Sequence, residues 1–123
     1  MAERIEVVRG EPDRAGPGKP YGGQPVFDAP GIHVGLTRLG PGARTPWHHH
    51  GSREFVGYVI SGSVTFEFDS DGVKREEASE GQFFRIPPMV VHRDVNESDG
   101  TTLIAVVSAG GGPLSVEAPA PPT

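Results

Sequence analysis

Gly42-Ala-Arg-Thr-Pro-Trp-His-His-His-Gly-Ser-Arg-Glu54 is the stretch on which the reading of this chain turns. In an extended strand alternate side chains share a face, so His48 and His50 point one way while Trp47 and His49 point the other. Two same-face imidazoles with the carboxylate of Glu54 nearby make three arms of a first-row metal site. A further candidate arm, His92, arrives in Gly81-Gln-Phe-Phe-Arg-Ile-Pro-Pro-Met-Val-Val-His-Arg-Asp-Val-Asn96. The remaining chain reads as scaffold that brings these two segments together.

Around them the chain becomes strand after strand. Val26-Phe27 and Ile32–Leu39 are extended, and Gly40-Pro41-Gly42 turns the chain. Glu54–Ile60 is β-rich and stops at Ser61-Gly62. Val64–Phe68 alternates, which puts Val64, Phe66 and Phe68 on one face. Asp69-Ser-Asp-Gly72 signals a hairpin to Val73–Glu77. Phe83–Ile86 runs into Pro87-Pro88, which ends or edges that strand. Val90–Val95 and Thr101–Val107 follow, with a short last strand at Leu114–Val116. Short strands, Gly/Pro turns and no amphipathic helix imply an all-β sandwich or barrel.

The first segment resembles the first motif of the cupin superfamily, G-x5-H-x-H-x3,4-E-x6-G, through Gly42, His48, His50, Glu54 and Gly62. Seven residues, not six, separate Glu54 from Gly62. The second segment resembles the second cupin motif, G-x5-P-x-G-x2-H-x3-N, through Gly81, Pro87, His92 and Asn96, with Met89 at the glycine position. The resemblance covers residues 42–96 and implies a small, single-domain antiparallel jelly-roll barrel, or double-stranded β-helix. It also implies one divalent first-row transition metal ion (Fe, Mn, Ni, Co, Cu or Zn) held by His48, His50, Glu54 and His92. Small cupins with this ligand set point first to oxygenases of diketones, flavonols or thiols, then to non-redox isomerases and lyases. A non-catalytic small-molecule-binding module and a structural domain are the rival classes.

Several side chains carry two readings. Glu54 either ligates, turned inward by a bulge at the extra residue, or pairs with Arg53 or Arg85 at the barrel mouth and leaves a three-histidine site. Tyr58 shares parity with Glu54 and is a candidate catalytic proton donor, or else a core tyrosine. His49 reads as a surface residue or a support for the ligands. Asn96 reads as a turn residue before Glu97-Ser-Asp-Gly100, and His33 as a pocket residue on a strand of unassigned face. Phe66, Phe68, Phe83 and Phe84 are core or pocket lining. Arg38, Arg44, Arg53, Arg85 and Arg93 suit an anionic substrate only if several face inward. A turn with negative φ is expected at Met89, whose side chain would then cap the cavity.

The 123 residues fit one domain, with 16 acidic residues against 11 basic ones and a net charge of −5. That balance argues against a nucleic-acid partner. With no cysteine there is no disulfide, thiolate ligand or cysteine nucleophile, which fits a reducing compartment. Neither a signal core nor a membrane-length apolar run is visible, so the expected location is cytoplasmic. Residues 1–25 are expected as an arm, with Arg4–Arg9 as an edge strand and a Gly/Pro-rich loop from Gly10 to Pro25. The barrel is expected over 26–110 and a flexible tail over 111–123. The length of the arm suggests a homodimer in which it lies across the neighbouring barrel. The partner otherwise expected is a small-molecule substrate.

Overall fold

In a computed structural model, residues 4–11, 19–69 and 73–121 of the chain are described. Ten strands follow one another: β1 (Tyr21–Ala29), β2 (Ile32–Leu39), β3 (His48–His49), β4 (Glu54–Ser61) and β5 (Ser63–Phe68). They continue with β6 (Lys74–Ser79), β7 (Phe83–Ile86), β8 (His92–Val95), β9 (Thr102–Ala109) and β10 (Val116–Glu117). The described residues contain no helix, hence none long and apolar enough to cross a membrane. Two antiparallel five-stranded sheets, β1-β2-β9-β4-β7 and β10-β3-β8-β5-β6, face each other as a jelly roll.

Alternation along the central strands decides what lies between the sheets. On β9, Thr102, Ile104, Val106 and Ser108 are buried while Val107 and Ala109 are exposed. On β4, Gly57 and Val59 are buried while Val56, Tyr58 and Ile60 are exposed. Leu39, Val59, Val64 and Ile104 are at most 1% exposed and form the centre of the core. Each such burial is worth about 1.5–3 kcal/mol. Gly57 lies on this inner face because the ring of Phe84 crosses it. A Cβ there would meet Phe84 Cζ at 2.1 Å.

The extra residue between Glu54 and Gly62 is absorbed as a bulge. Val59 pairs with Ile104 and Ser61 with Leu103, so Ile60 is left over. Gly62 then turns with φ +81 against Thr102, where a Cβ would lie 2.7 Å from Thr102 Oγ1. Asn96 is fully buried and staples the barrel end. Its Nδ2 donates to the carbonyls of Leu39, Gly40 and Gly100, and its Oδ1 accepts from the Ser98 backbone and hydroxyl. It is a turn residue, as expected, but one on which three segments converge.

Several local expectations are corrected. Arg4–Arg9 forms no strand. The first strand is β1, which crosses the boundary expected at residue 25 because its backbone finds β2 as a partner from Tyr21 onward. Residues 12–18 of the expected loop and 70–72 of the expected hairpin turn lie outside the described residues. The segment 111–121 is tied down rather than free: β10 pairs with β3, and Ala118 N donates to Trp47 O at 3.0 Å. Met89 takes φ +66, not a negative value. Its N–H is committed to Gly51 O at 2.9 Å, and holding that bond through the turn after Pro87-Pro88 overrides the side chain's preference.

Candidate metal centre

His48 on β3, His50 just beyond it and His92 on β8 converge in the barrel, and one ring nitrogen from each lies within 4.8 Å of the others. Register explains the meeting, since β3 pairs with β8 and His48 stands opposite His92. The rings of His48 and His92 are 4.3 Å apart by centroid. All three side chains are buried.

Each ring is oriented by a main-chain carbonyl. Nδ1 of His48 bonds Pro46 O at 2.7 Å, that of His50 bonds Leu114 O at 2.7 Å, and that of His92 bonds Val90 O at 2.9 Å. A carbonyl only accepts, so each Nδ1 carries the proton and each Nε2 presents a lone pair. Nε2 of His92 is sealed from solvent and has no hydrogen-bond partner. Burial, aided by the neighbouring imidazoles, lowers the pKa of His50 and of His92 to about 4. Neutral imidazoles with converging lone pairs and carbonyl-fixed tautomers are what a transition-metal ion requires. The residues therefore fit the ion that the sequence motifs imply.

His49 stands apart from the cluster, its Nδ1 accepting Gly51 N–H at 3.0 Å. Glu54 is also elsewhere. Its half-exposed carboxylate pairs with Arg85 on the outer face of β4, the alternative that leaves a three-histidine site. The extra residue explains this. With six residues between, the position before Gly62 that the motif gives to the carboxylate is Phe55, and a one-residue slip exchanges the faces of a strand. Phe55 accordingly turns inward and stacks on His50, with centroids 4.0 Å apart and planes 11° from parallel. The bulge at Ile60 comes after Glu54 and cannot rotate it inward.

Tyr58 shares the outward parity of Glu54, so the cavity-facing proton donor is corrected to a surface residue 37% exposed. It packs on Phe83, which is 73% exposed and lines the hollow beside β6 and β7, not the cavity in front of the histidines. The side chain of Met89 is 62% exposed and borders a surface hollow with Val90, Val91 and Pro119, so it does not cap the cavity.

Asp94 is the site residue that the motifs did not single out. Two positions after His92 on β8, it shares that residue's face and lines the cavity with His48 and His50. Its Oδ1 is sealed from solvent, lacks a hydrogen-bond partner and lies 3.5 Å from His92 Nε2. Burial raises its pKa, against the opposing pull of His48 and His50.

The cavity in front of the histidines has a volume of about 360 Å³. Its walls are largely apolar, including Phe55, Phe66, Phe84, Ile104 and Val106, with His33 among the polar residues. Among the described residues no Lys or Arg lines it. Arg53 instead bonds Gly112 O and Ser108 Oγ, and Arg93 bonds Glu67 and lies over Trp47. A second hollow of about 490 Å³ reaches His92 from the side of β6 and β7, and the Phe66–Phe84 pair borders both.

Comparison with known proteins agrees with this architecture. A family model described as Cupin domain matches residues 35–108. Among solved structures, a conserved double-stranded β-helix protein from Klebsiella pneumoniae subsp. pneumoniae superposes with a TM-score of 0.75 at 19% identity. That match covers 93% of this chain and 99% of the other. A cupin domain from Bordetella pertussis gives a TM-score of 0.64 at 23% identity, covering 74% and 94% of the two chains. Oxalate oxidase in complex with the substrate analogue glycolate gives 0.71 at 16% identity over 89% of this chain. The chain spans only 59% of that oxidase. No curated protein sequence matches significantly.

Proposed function

The chain belongs to the cupin domain family, and from that premise we propose that it is a metal-dependent enzyme acting on a small organic molecule, with dioxygenase-like chemistry. The observation that carries this reading is the convergence of three carbonyl-oriented imidazoles beside an apolar cavity that His48 and His50 line. A divalent first-row ion held there by His48, His50 and His92 would polarise a carbonyl or enolate oxygen and, as Fe, Cu or Ni, would also engage dioxygen. The protein's part is positional. Pro46, Leu114 and Val90 fix the rings through their carbonyls, while Phe55 stacks on His50 and holds its plane. The apolar walls exclude water and accept a hydrocarbon body. With no Lys or Arg among the described residues lining the cavity, a substrate recognised through chelating oxygens fits better than one held by its negative charge. Diketones and catechols are the classes to try.

The test is metal analysis of protein purified without a histidine tag, followed by an O2-uptake screen with diketones and catechols. Metal bound and O2 consumed together with substrate support the reading. Turnover without O2 would replace it with isomerase or lyase chemistry. Protein that takes up no metal, even on reconstitution, overturns it.

We further propose that the protein is a homodimer joined through the outer face of the β1-β2-β9-β4-β7 sheet. Leu36, Ala105, Tyr58 and Phe83 form one cross-strand row on that face, and Val34, Val107 and Val56 form the next. Several of these side chains are exposed: Val56, Tyr58, Phe83 and Val107, with Ile32 and Ile60 nearby. The arm is anchored on the same sheet, Gly10 against Leu36 and Glu11 N–H bonded to Gln24 Oε1 at 2.6 Å. Yet its Ile5 and Val7 are 97% and 92% exposed within one chain. A second copy would cover both features through one two-fold contact. Sedimentation of the intact chain at micromolar concentration tests this, and a monomer would sink it.

A further inference from the structure

We propose that Asp94, and not Glu54, supplies the carboxylate of the metal centre and joins the three histidines in holding the ion. The inference rests on the metal-centre reading above and assigns a residue that neither sequence motif includes. Three observations lead to it. The inward position next to His50 that a carboxylate would need is taken by Phe55, and Glu54 is engaged by Arg85 outside the barrel. Asp94 is the carboxylate that shares the cavity with the histidines. Its backbone is held to the first motif from both sides, Asp94 N donating to Thr45 Oγ1 and Thr45 N donating to Asp94 O, each at 2.9 Å.

The third observation is a pair of buried polar atoms left without partners. Because Nδ1 of His92 donates to Val90 O, Nε2 of His92 presents a lone pair. It faces Asp94 Oδ1 at 3.5 Å, and both atoms are sealed from solvent without a hydrogen-bond partner. Neither buried atom has a hydrogen-bond partner, and an ion between them would serve both. Among the described residues only the three histidine nitrogens all lie within 4.8 Å of one another, so Asp94 approaches the ion from the His92 side and completes the set by turning its carboxylate towards it. An anionic oxygen beside three neutral nitrogens would also lower the net charge at the metal and favour harder ions than three imidazoles alone.

The test is a Co2+ titration of the metal-free full chain, followed by the visible d–d absorption, for the wild type, Asp94→Asn, Asp94→Ala and Glu54→Gln. Both Asp94 variants should bind Co2+ at least about tenfold more weakly and change the position or intensity of the bands. Glu54→Gln should match the wild type in both. Melting of the metal-free forms separates ligation from support of the fold. Asp94→Asn keeps the shape of the side chain and can donate to His92 Nε2, so without metal it should melt no lower than the wild type. Asp94 variants with wild-type affinity and spectrum would overturn the proposal, as would a metal-free Asp94→Asn that melts well below the wild type or does not fold. A Glu54→Gln variant that loses affinity would return the carboxylate role to the first motif. A wild type that binds no Co2+ would remove the metal-centre reading itself, and this inference with it.

Discussion

The two sheets divide the work of the molecule unequally. The β10-β3-β8-β5-β6 sheet carries His48, His92 and Asp94 on its inner face, and its outer face is closed by charge. There Glu67, nearly buried, accepts from Arg75 and Arg93, while Arg75 also reaches Glu97. The β1-β2-β9-β4-β7 sheet offers apolar wall to the cavity and presents apolar side chains outward as well. On its outer face the first sheet pairs its charges with one another; the other sheet leaves apolar surface bare. Chemistry is thus concentrated on the first, and on our reading association belongs to the second.

The largest effect expected within this division comes from acid. His50 and His92 have folded pKa values near 4 against an ordinary 6.5, so between these values the unfolded chain binds more protons than the folded one. The stability of the metal-free protein should be full above about pH 6.5 and should fall as pH drops towards 4, by about 3 kcal/mol for each histidine. Asp94, raised by burial, runs the opposite way and softens the lower end. Denaturant unfolding at a series of pH values reads this directly. His92→Asn should flatten the slope, and an unchanged slope would mean that these rings are not held neutral by the fold.

Next in size is the loss of a ligand. His92→Ala should erase most of the metal-dependent rise in stability, which at a hundredfold excess over Kd is about 2.7 kcal/mol. His49→Ala, on the other side of β3, should retain it. Thermal melts with and without metal distinguish the two, and the reverse outcome would break the register.

The apolar sheet is tested by Val107→Asp, which places a charge at the centre of the bare face. If a second copy covers that face, dissociation should weaken the pair by about 2 kcal/mol or more, read by sedimentation. The smallest effect concerns Met89 on the crossing from β7 to β8. A non-glycine side chain at φ +66 costs about 1 kcal/mol, so Met89→Gly should gain a few tenths to 1 kcal/mol while leaving metal content unchanged. A loss of metal in that variant would mean that the side chain positions His92.

An all-β sandwich or barrel was legible because period-two alternation and turn residues act locally and mark most strands within a few residues, while the jelly roll came only from the resemblance of the two motifs. Pairing His48 with His50 needed only parity, and His92 only the spacing of the second motif. Glu54 was misplaced because a carboxylate can have either three or four residues between it and His50 and still match the pattern. Only the count back from Gly62 shows that Phe55 has taken the inward place. Tyr58 went wrong with it, since its face was inferred from that of Glu54. Asp94 was overlooked because it falls on an unspecified position between His92 and Asn96, although parity with His92 was a usable signal. The turn at Met89 was misjudged because the demand comes from its N–H bond to Gly51, a contact 38 residues away that no local pattern encodes.

The bond from His50 to the Leu114 carbonyl has a consequence for how this centre tolerates change. The acceptor belongs to the main chain, so replacing the side chain at 114 leaves it in place, whereas shifting β10 by one residue against β3 would carry it away. The ring's aim is therefore indifferent to spelling and sensitive to alignment. An insertion between Gly110 and Val116 should disturb His50 more than any single replacement in that segment, although none of those residues needs to touch the ion.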